Sequence, residues 1–188
     1  MMIIVTFTAN VLLFAFPIES VLASPALQKK WTQHLEGHAR TYIAPLAADL
    51  VGDEALEIIV VGGTDDYAGD GSVTVLDGET GGVIWQKHAT SRSSPYWGIG
   101  MHTPFEVADL NKDGVPEIII AARGGVLVLH GDDGDVYWRN SAAPAEENYV
   151  AVVDIDGDGY PEIFVNRGLG PYEGYDWITS LSYDGKIL

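Results

Sequence analysis

The sequence predicts an all-β fold: a β-propeller of four-stranded antiparallel blades, with about three repeats present as an incomplete ring. Three observations carry that expectation. Short apolar runs rich in Val and Ile alternate with turn residues, and the chain holds 22 Gly, a pattern that favours strands and turns over helices. An acidic loop followed by Glu-Ile recurs along the chain. A second element, ending in Trp, recurs about every 50 residues, the spacing of four-stranded propeller units.

Residues 1–23 stand apart. Met1 to Phe16 is apolar except for Thr6, Thr8 and Asn10, and a small-residue exit, Val21-Leu22-Ala23, follows. This reads as a secretory signal peptide cleaved after Ala23, although no Lys or Arg precedes the apolar run. The run is short for a membrane span, which needs about 20 residues. The mature chain, 24–188, is expected to be secreted, periplasmic or at the cell surface, with no membrane span.

Within 24–188 the self-similarity is direct. Val107-Ala-Asp-Leu-Asn-Lys-Asp-Gly-Val-Pro-Glu-Ile-Ile-Ile120 recurs as Val152-Val-Asp-Ile-Asp-Gly-Asp-Gly-Tyr-Pro-Glu-Ile-Phe-Val165. A worn copy precedes them, Ala47-Ala-Asp-Leu-Val-Gly-Asp-Glu-Ala-Leu-Glu-Ile-Ile-Val60. The second element reads Val73-Thr-Val-Leu-Asp-Gly-Glu-Thr-Gly-Gly-Val-Ile-Trp85 and again Val126-Leu-Val-Leu-His-Gly-Asp-Asp-Gly-Asp-Val-Tyr-Trp138. Its third copy, Thr179–Leu188, stops where the next residue should be Trp. The repeats therefore run roughly 42–102, 103–147 and 148–188. In each, strand one ends at the acidic loop, strand two is the Glu-Ile run, strand three leads to a hairpin turn, and strand four carries the Trp. Trp31 stands one repeat upstream of Trp85 and marks the last strand of a preceding unit. Three blades fall short of the usual four to eight, so further blades or another copy are expected to close the ring.

The composition bounds the function. A formal charge of −17 with 47% hydrophobic residues describes a packed acidic domain, not a disordered tail. Such a surface repels phosphate backbones and anionic lipid, which argues against nucleic acid as a partner and favours divalent cations. With no Cys in the chain, thiolate sites and disulfides are excluded, and any ion must be held by oxygen.

The acidic loops supply that oxygen. In Asp109-Leu-Asn111-Lys-Asp113-Gly114-Val115-Pro-Glu117, oxygen-bearing side chains stand at positions one, three, five and nine, with Gly at six. Alternation aims the first three into one concavity, Gly114 permits a sharp turn, and the Val115 carbonyl is expected to point inward. Asp154, Asp156, Asp158, Gly159, the Tyr160 carbonyl and Glu162 repeat the arrangement with an all-Asp set. Calcium takes six to eight such oxygens, so two Ca2+ sites are expected. Neither loop is an EF-hand, which needs a bidentate Glu at position twelve, where Ile120 and Val165 stand here. In the worn loop only Asp49, Asp53 and Glu57 remain, and a plain turn is expected.

The motif Asp-x-Asp-x-Asp-Gly-x-x-Glu before a hydrophobic strand resembles the FG-GAP (VCBS) repeats of integrin α-subunit-type propellers. That resemblance covers roughly residues 42–188. It implies a calcium ion in the loop between two blade strands, at the positions just named. No Phe-Gly…Gly-Ala-Pro element is present, so the likeness rests on the calcium loops. Leu76-Asp-Gly-Glu-Thr-Gly-Gly-Val-Ile-Trp85 is also similar to the blade-turn repeat of quinoprotein-like propellers, which by itself implies no quinone.

Other chemistry finds little support. His34 and His38 flank Glu36 at helical spacing, but Gly37 interrupts the segment. Ser91, Ser93 and Ser94 lack a nucleophile-elbow pattern. Tyr96, Trp97, Tyr172, Tyr175 and Trp177 fall in long inter-strand loops, as blade packing or as a platform for a protein or carbohydrate ligand at the propeller face. Two functional classes follow. One is a non-enzymatic binding or adhesion module stiffened by calcium. The alternative is the propeller part of a secreted glycan-degrading enzyme, since rhamnogalacturonan lyases of the calcium-propeller type look similar in their Asp-rich loops. Ten Lys and Arg give a polyanionic substrate little to bind, which favours the first.

Overall fold

The computed structural model describes residues 30–35, 41–63, 71–143, 149–168 and 176–188. All but residue 30 belong to the second of two compact units, Trp31–Leu188. The expected signal peptide, 1–23, lies outside the described residues, as do Glu36, His38, Tyr172 and Tyr175.

The described residues contain no helix and form three antiparallel sheets. The first is β1 (Leu46–Ala48), β2 (Glu57–Gly62), β3 (Ser72–Asp77) and β4 (Val83–His88), paired in chain order. The second repeats this with β5 (Phe105–Ala108), β6 (Glu117–Ala122), β7 (Gly125–His130) and β8 (Val136–Asn140). The third holds β9 (Val150–Val153), β10 (Glu162–Gly168) and β11 (Asp176–Leu181). A single bridge, Leu181 to Ile187, stands where a fourth strand would begin. The acidic loops join the first two strands of each sheet, as the sequence predicts.

The sheets pack face to face, and β5 touches both β1 and β9. Between the first two lie Ile59, Val61, Val73, Val75, Ile118, Ile120, Leu127 and Leu129. Between the second and third lie Ile119, Ala121, Val126, Val128, Ile163, Val165 and Leu181. The middle sheet is thus apolar on both faces. This is why β6 and β7 read as continuous runs, not as alternating ones. Each Ile or Leu so buried stabilises the stack by about 1.5–3 kcal/mol.

Trp side chains fasten the outer edges. Trp85 Nε1–H donates to the Gly131 carbonyl across the sheet boundary at 2.9 Å, and Trp138 Nε1–H donates to the Tyr183 carbonyl at 3.0 Å. Each indole lies on a hairpin glycine held in the left-handed region, Gly134 (φ 73°) and Gly185 (φ 83°). A Cβ at either glycine would fall 2.7–2.8 Å from the ring. So Trp85 and Trp138 occupy equivalent places at successive boundaries. Trp31 makes the same contact, donating to the Gly78 carbonyl at 3.1 Å and lying on Gly81 (φ 75°). The strand expected around Trp31 is not formed over residues 30–35. The indole is docked without a ladder partner, so packing holds it and sheet pairing does not.

Candidate metal centre

All three acidic loops share one backbone, including the worn one. Positions four and six are left-handed in each: Gly52 (φ 76°) and Glu54 (φ 69°), Lys112 (φ 62°) and Gly114 (φ 93°), Gly157 (φ 78°) and Gly159 (φ 92°). Gly114 and Gly159 meet this demand without strain, whereas a side chain there costs about 1–2 kcal/mol.

Carboxylates hold that backbone by a repeated set of hydrogen bonds. The Glu at position nine opens strand two and is buried in every copy, with Glu57 3%, Glu117 1% and Glu162 7% exposed. Its Oε2 accepts the N–H of position two: Leu50 at 2.7 Å, Leu110 at 2.8 Å and Ile155 at 3.0 Å. The Asp at position one accepts the N–H of position six through Oδ2: Glu54 at 2.8 Å, Gly114 at 2.9 Å and Gly159 at 2.8 Å. The Asp at position five accepts the N–H two residues on, from Ala55, Val115 and Tyr160. Buried oxygens need such donors, because leaving them unpaired costs about 1–3 kcal/mol each.

The oxygens of the two complete loops differ in how they converge. In the third loop, Asp154, Asp156 and Glu162 each offer an oxygen within 4.8 Å of the others. Asp158 turns its Oδ1 to the Tyr160 N–H at 2.7 Å and is not in that set. In the second loop, Asn111 Nδ2 donates to Asp113 Oδ2 at 2.9 Å and to Glu117 Oε1 at 3.1 Å. Its amide therefore links two carboxylates, while Asn111 Oδ1 accepts the Asp113 N–H at 2.8 Å. Burial pushes the Glu117 carboxyl above its usual range; the Leu110 N–H opposes this, and the Asp113 and Asp109 charges add to it. In the third loop, the oxygens of Asp154, Asp156 and the buried Glu162 form a donor set that fits a divalent cation. Val115 and Tyr160 stand at position seven, each with its N–H on the preceding Asp.

In the worn loop Asp49 is already saturated. Its Oδ1 accepts the N–H groups of Val51, Gly52 and Asp53, and its Oδ2 that of Glu54. The Glu54 N–H is the largest cause holding its carboxyl below the usual range, with the other three adding to it. With the Leu50 N–H on Glu57 and the Ala55 N–H on Asp53, these bonds fix the loop.

Adjacent loops also touch one another. Lys112 reaches from the second loop to the third, its Nζ 4.4 Å from the centre of the Tyr160 ring and against Gly159, where a Cβ would collide with it. Tyr160 in turn stacks on Tyr183 at 4.5 Å between ring centres. Sequence reasoning missed this latch and the left-handed turn at position four. Gly52 and Gly157 carried a signal for the turn, since both stand at that position. Of the other residues weighed from sequence, Tyr96 donates from its hydroxyl to the Gly134 carbonyl at 3.1 Å, a packing role. His34 is exposed.

Comparison with known proteins bears on the same segment. Residues 109–165 match the model of the FG-GAP-like repeat. Among solved structures, the crystal structure of the V. cholerae biofilm matrix protein Bap1 aligns at 20% identity with a TM-score of 0.35. The alignment covers 77% of this chain and 27% of that one, so the chain spans about a quarter of its length. No curated protein matches the sequence. The matched segment begins at Asp109 and ends in β10, taking in both complete acidic loops and the strands between them.

Proposed function

We propose that this chain is part of an exported β-propeller that binds calcium in the loops Asp109–Glu117 and Asp154–Glu162 and serves as a binding or adhesion module. The observation that carries the reading is the loop pair itself, two copies of one backbone within the segment that matches the FG-GAP-like repeat, with Asp154, Asp156 and Glu162 converging in the second copy. The face-to-face stack of meander sheets, with first strands adjacent, supports the propeller. Asp109, Asn111, Asp113 and Glu117 would hold one ion, and Asp154, Asp156, Asp158 and Glu162 the other, with the Val115 and Tyr160 carbonyls completing each set. Calcium there supplies positive charge that offsets carboxylate repulsion and ties strand one to strand two. The formal charge of −17 with ten Lys and Arg favours a binding module over a lyase acting on a polyanion.

Calorimetric calcium titration of the wild type, Asp113→Ala and Asp156→Ala tests this. Two sites are expected, each substitution should remove one, and the 154–162 loop should bind more tightly because Asn111 brings no charge. Magnesium should substitute poorly, since it demands a smaller octahedral shell. At a calcium concentration about 100 times Kd, each site should add about 2.7 kcal/mol of stability. No binding at millimolar calcium would reduce both loops to turns and remove the reading.

A further inference from the structure

We infer that Arg139 and Trp97 form a binding site for a carboxylate carried by an acidic sugar. The inference deepens the binding-module reading by naming a ligand class, and it does not rest on calcium.

Two buried side-chain N–H groups lack an acceptor, Trp97 Nε1 and Arg139 Nε. Buried polar groups in folded proteins are nearly always paired, so each of these calls for a partner. The two side chains are neighbours by separate observations. A Cβ built on Gly124 would stand 3.8 Å from Arg139 Nη2 and 3.8 Å from Trp97 Cζ3. Arg139 Nη1 donates to the Pro95 carbonyl at 2.9 Å, two residues before Trp97. That bond occupies one arm of the guanidinium and leaves the edge made of Nε and Nη2, whose parallel N–H groups match the two oxygens of a carboxylate. Gly124 is exposed and has no side chain, so nothing from its turn fills the space between Arg139 and Trp97.

The first sheet shows the closed version of this place. Register makes Gln86, opposite Thr74, the counterpart of Arg139, opposite Leu127. Gln86 Nε2 donates to Thr74 Oγ1 at 2.9 Å, whereas the Leu127 side chain offers Arg139 no acceptor. A charged group in the second sheet thus replaces a neutral pair that is satisfied in the first, and a half-buried charge is costly until an opposite charge meets it. The backbone around it is fixed. The Trp97 N–H donates to the Ser94 carbonyl at 3.1 Å, and the Arg123 N–H donates to the Gly98 carbonyl at 2.9 Å. These bonds tie the loop that carries Trp97 to the turn that carries Gly124, so little ordering is left for binding to supply. A guanidinium fork beside an indole offers both an anion partner and an apolar ring face against which a sugar ring can lie. The formal charge of −17 repels a densely acidic partner, so the ligand is a sugar acid among neutral sugars, not an acidic protein segment.

The test titrates the isotope-labelled full chain with methyl glucuronide and follows the indole N–H resonances by NMR, with Trp97 assigned from the signal that Trp97→Phe removes. The Trp97 resonance should shift and saturate. Arg139→Gln, which copies the first sheet, should weaken binding by about tenfold or more. Arg139→Lys should not restore it, because an ammonium keeps the charge but lacks the fork. Amide spectra of both variants check that they fold, and Arg139→Lys carries the comparison if Arg139→Gln does not. Methyl glucoside, which is neutral, should bind at least about tenfold more weakly than the glucuronide. The same results are expected in calcium and in EGTA, so a failure of calcium binding would not mimic a failure of this site. The inference is overturned if the Trp97 resonance does not move, if both Arg139 variants bind like the wild type, or if methyl glucoside binds equally well. It is also overturned if N-acetyl-aspartate amide binds as tightly as the glucuronide, since an acidic peptide would then be the ligand.

Discussion

Gly134→Ala tests how the sheets are fastened. Gly134 holds φ 73°, where any side chain costs about 1–2 kcal/mol. The new Cβ would lie 2.7 Å from Trp85 Cζ3 and 2.8 Å from Cε3, closer than carbon atoms tolerate, so the indole must retreat. Its Nε1–H bond to the Gly131 carbonyl, 2.9 Å long, is worth about 0.5–1.5 kcal/mol and would weaken or break. The substitution should therefore destabilise the protein by about 2–3 kcal/mol. Trp85→Ala removes the ring in advance, and in that background Gly134→Ala should retain only the backbone cost. Urea denaturation of the wild type, both single variants and the double variant, at fixed calcium, measures the coupling. A coupling of about 1 kcal/mol is expected. Additivity within about 0.3–0.5 kcal/mol would show that Trp85 and Gly134 do not act as one contact.

Glu54 sits at φ 69° in the worn loop, so Glu54→Gly should stabilise the chain by about 1 kcal/mol, read as a rise in the urea midpoint. Lys112→Met keeps the aliphatic stem but removes the charge over Tyr160; it should cost about 0.5–1 kcal/mol in thermal melts, with Lys112→Arg retaining the wild-type value. Lys87 donates to Asp135 at 2.7 Å across the boundary of the first two sheets and holds that carboxyl below the usual aspartate range. A depressed folded value means that the contribution is complete above the unfolded aspartate value and fades as pH falls through the folded one. Stability curves of wild type and Asp135→Asn should therefore differ at neutral pH and converge in acid. A constant offset at every pH would rule out the ion pair as the cause.

The strands were legible because their signals are local. Val-Ile runs bounded by Gly-rich turns and repeated three times leave little choice of register, and the Trp spacing marks the sheet boundaries. The acidic loops were legible as positions, since Asp109, Asp113, Asp154 and Asp156 announce themselves by alternation. Their detail was not. That Glu117 secures the Leu110 N–H depends on a carboxylate that is buried only after the sheets stack. That Lys112 adopts a left-handed turn runs against its intrinsic preference, so no propensity could reveal it. The worn loop teaches the same lesson. Val51 and Glu54 stand where the other loops carry a polar side chain and Gly, yet Asp49 and Glu57 hold the shared backbone, because two carboxylates and their N–H partners suffice to define it.

The Trp contacts also set a length scale for folding. Trp31, Trp85 and Trp138 reach carbonyls 47, 46 and 45 residues along the chain, while every ladder within a sheet joins near neighbours in sequence. Closing a loop costs free energy that grows only with the logarithm of its length, and each boundary here closes a loop of nearly the same size. Adding units would multiply these closures without lengthening any of them, so mean contact separation relative to chain length would fall as the array grew. By the relation between contact order and rate, a longer array should form each new boundary about as fast as the first, with hairpins assembling locally and the indoles docking afterwards.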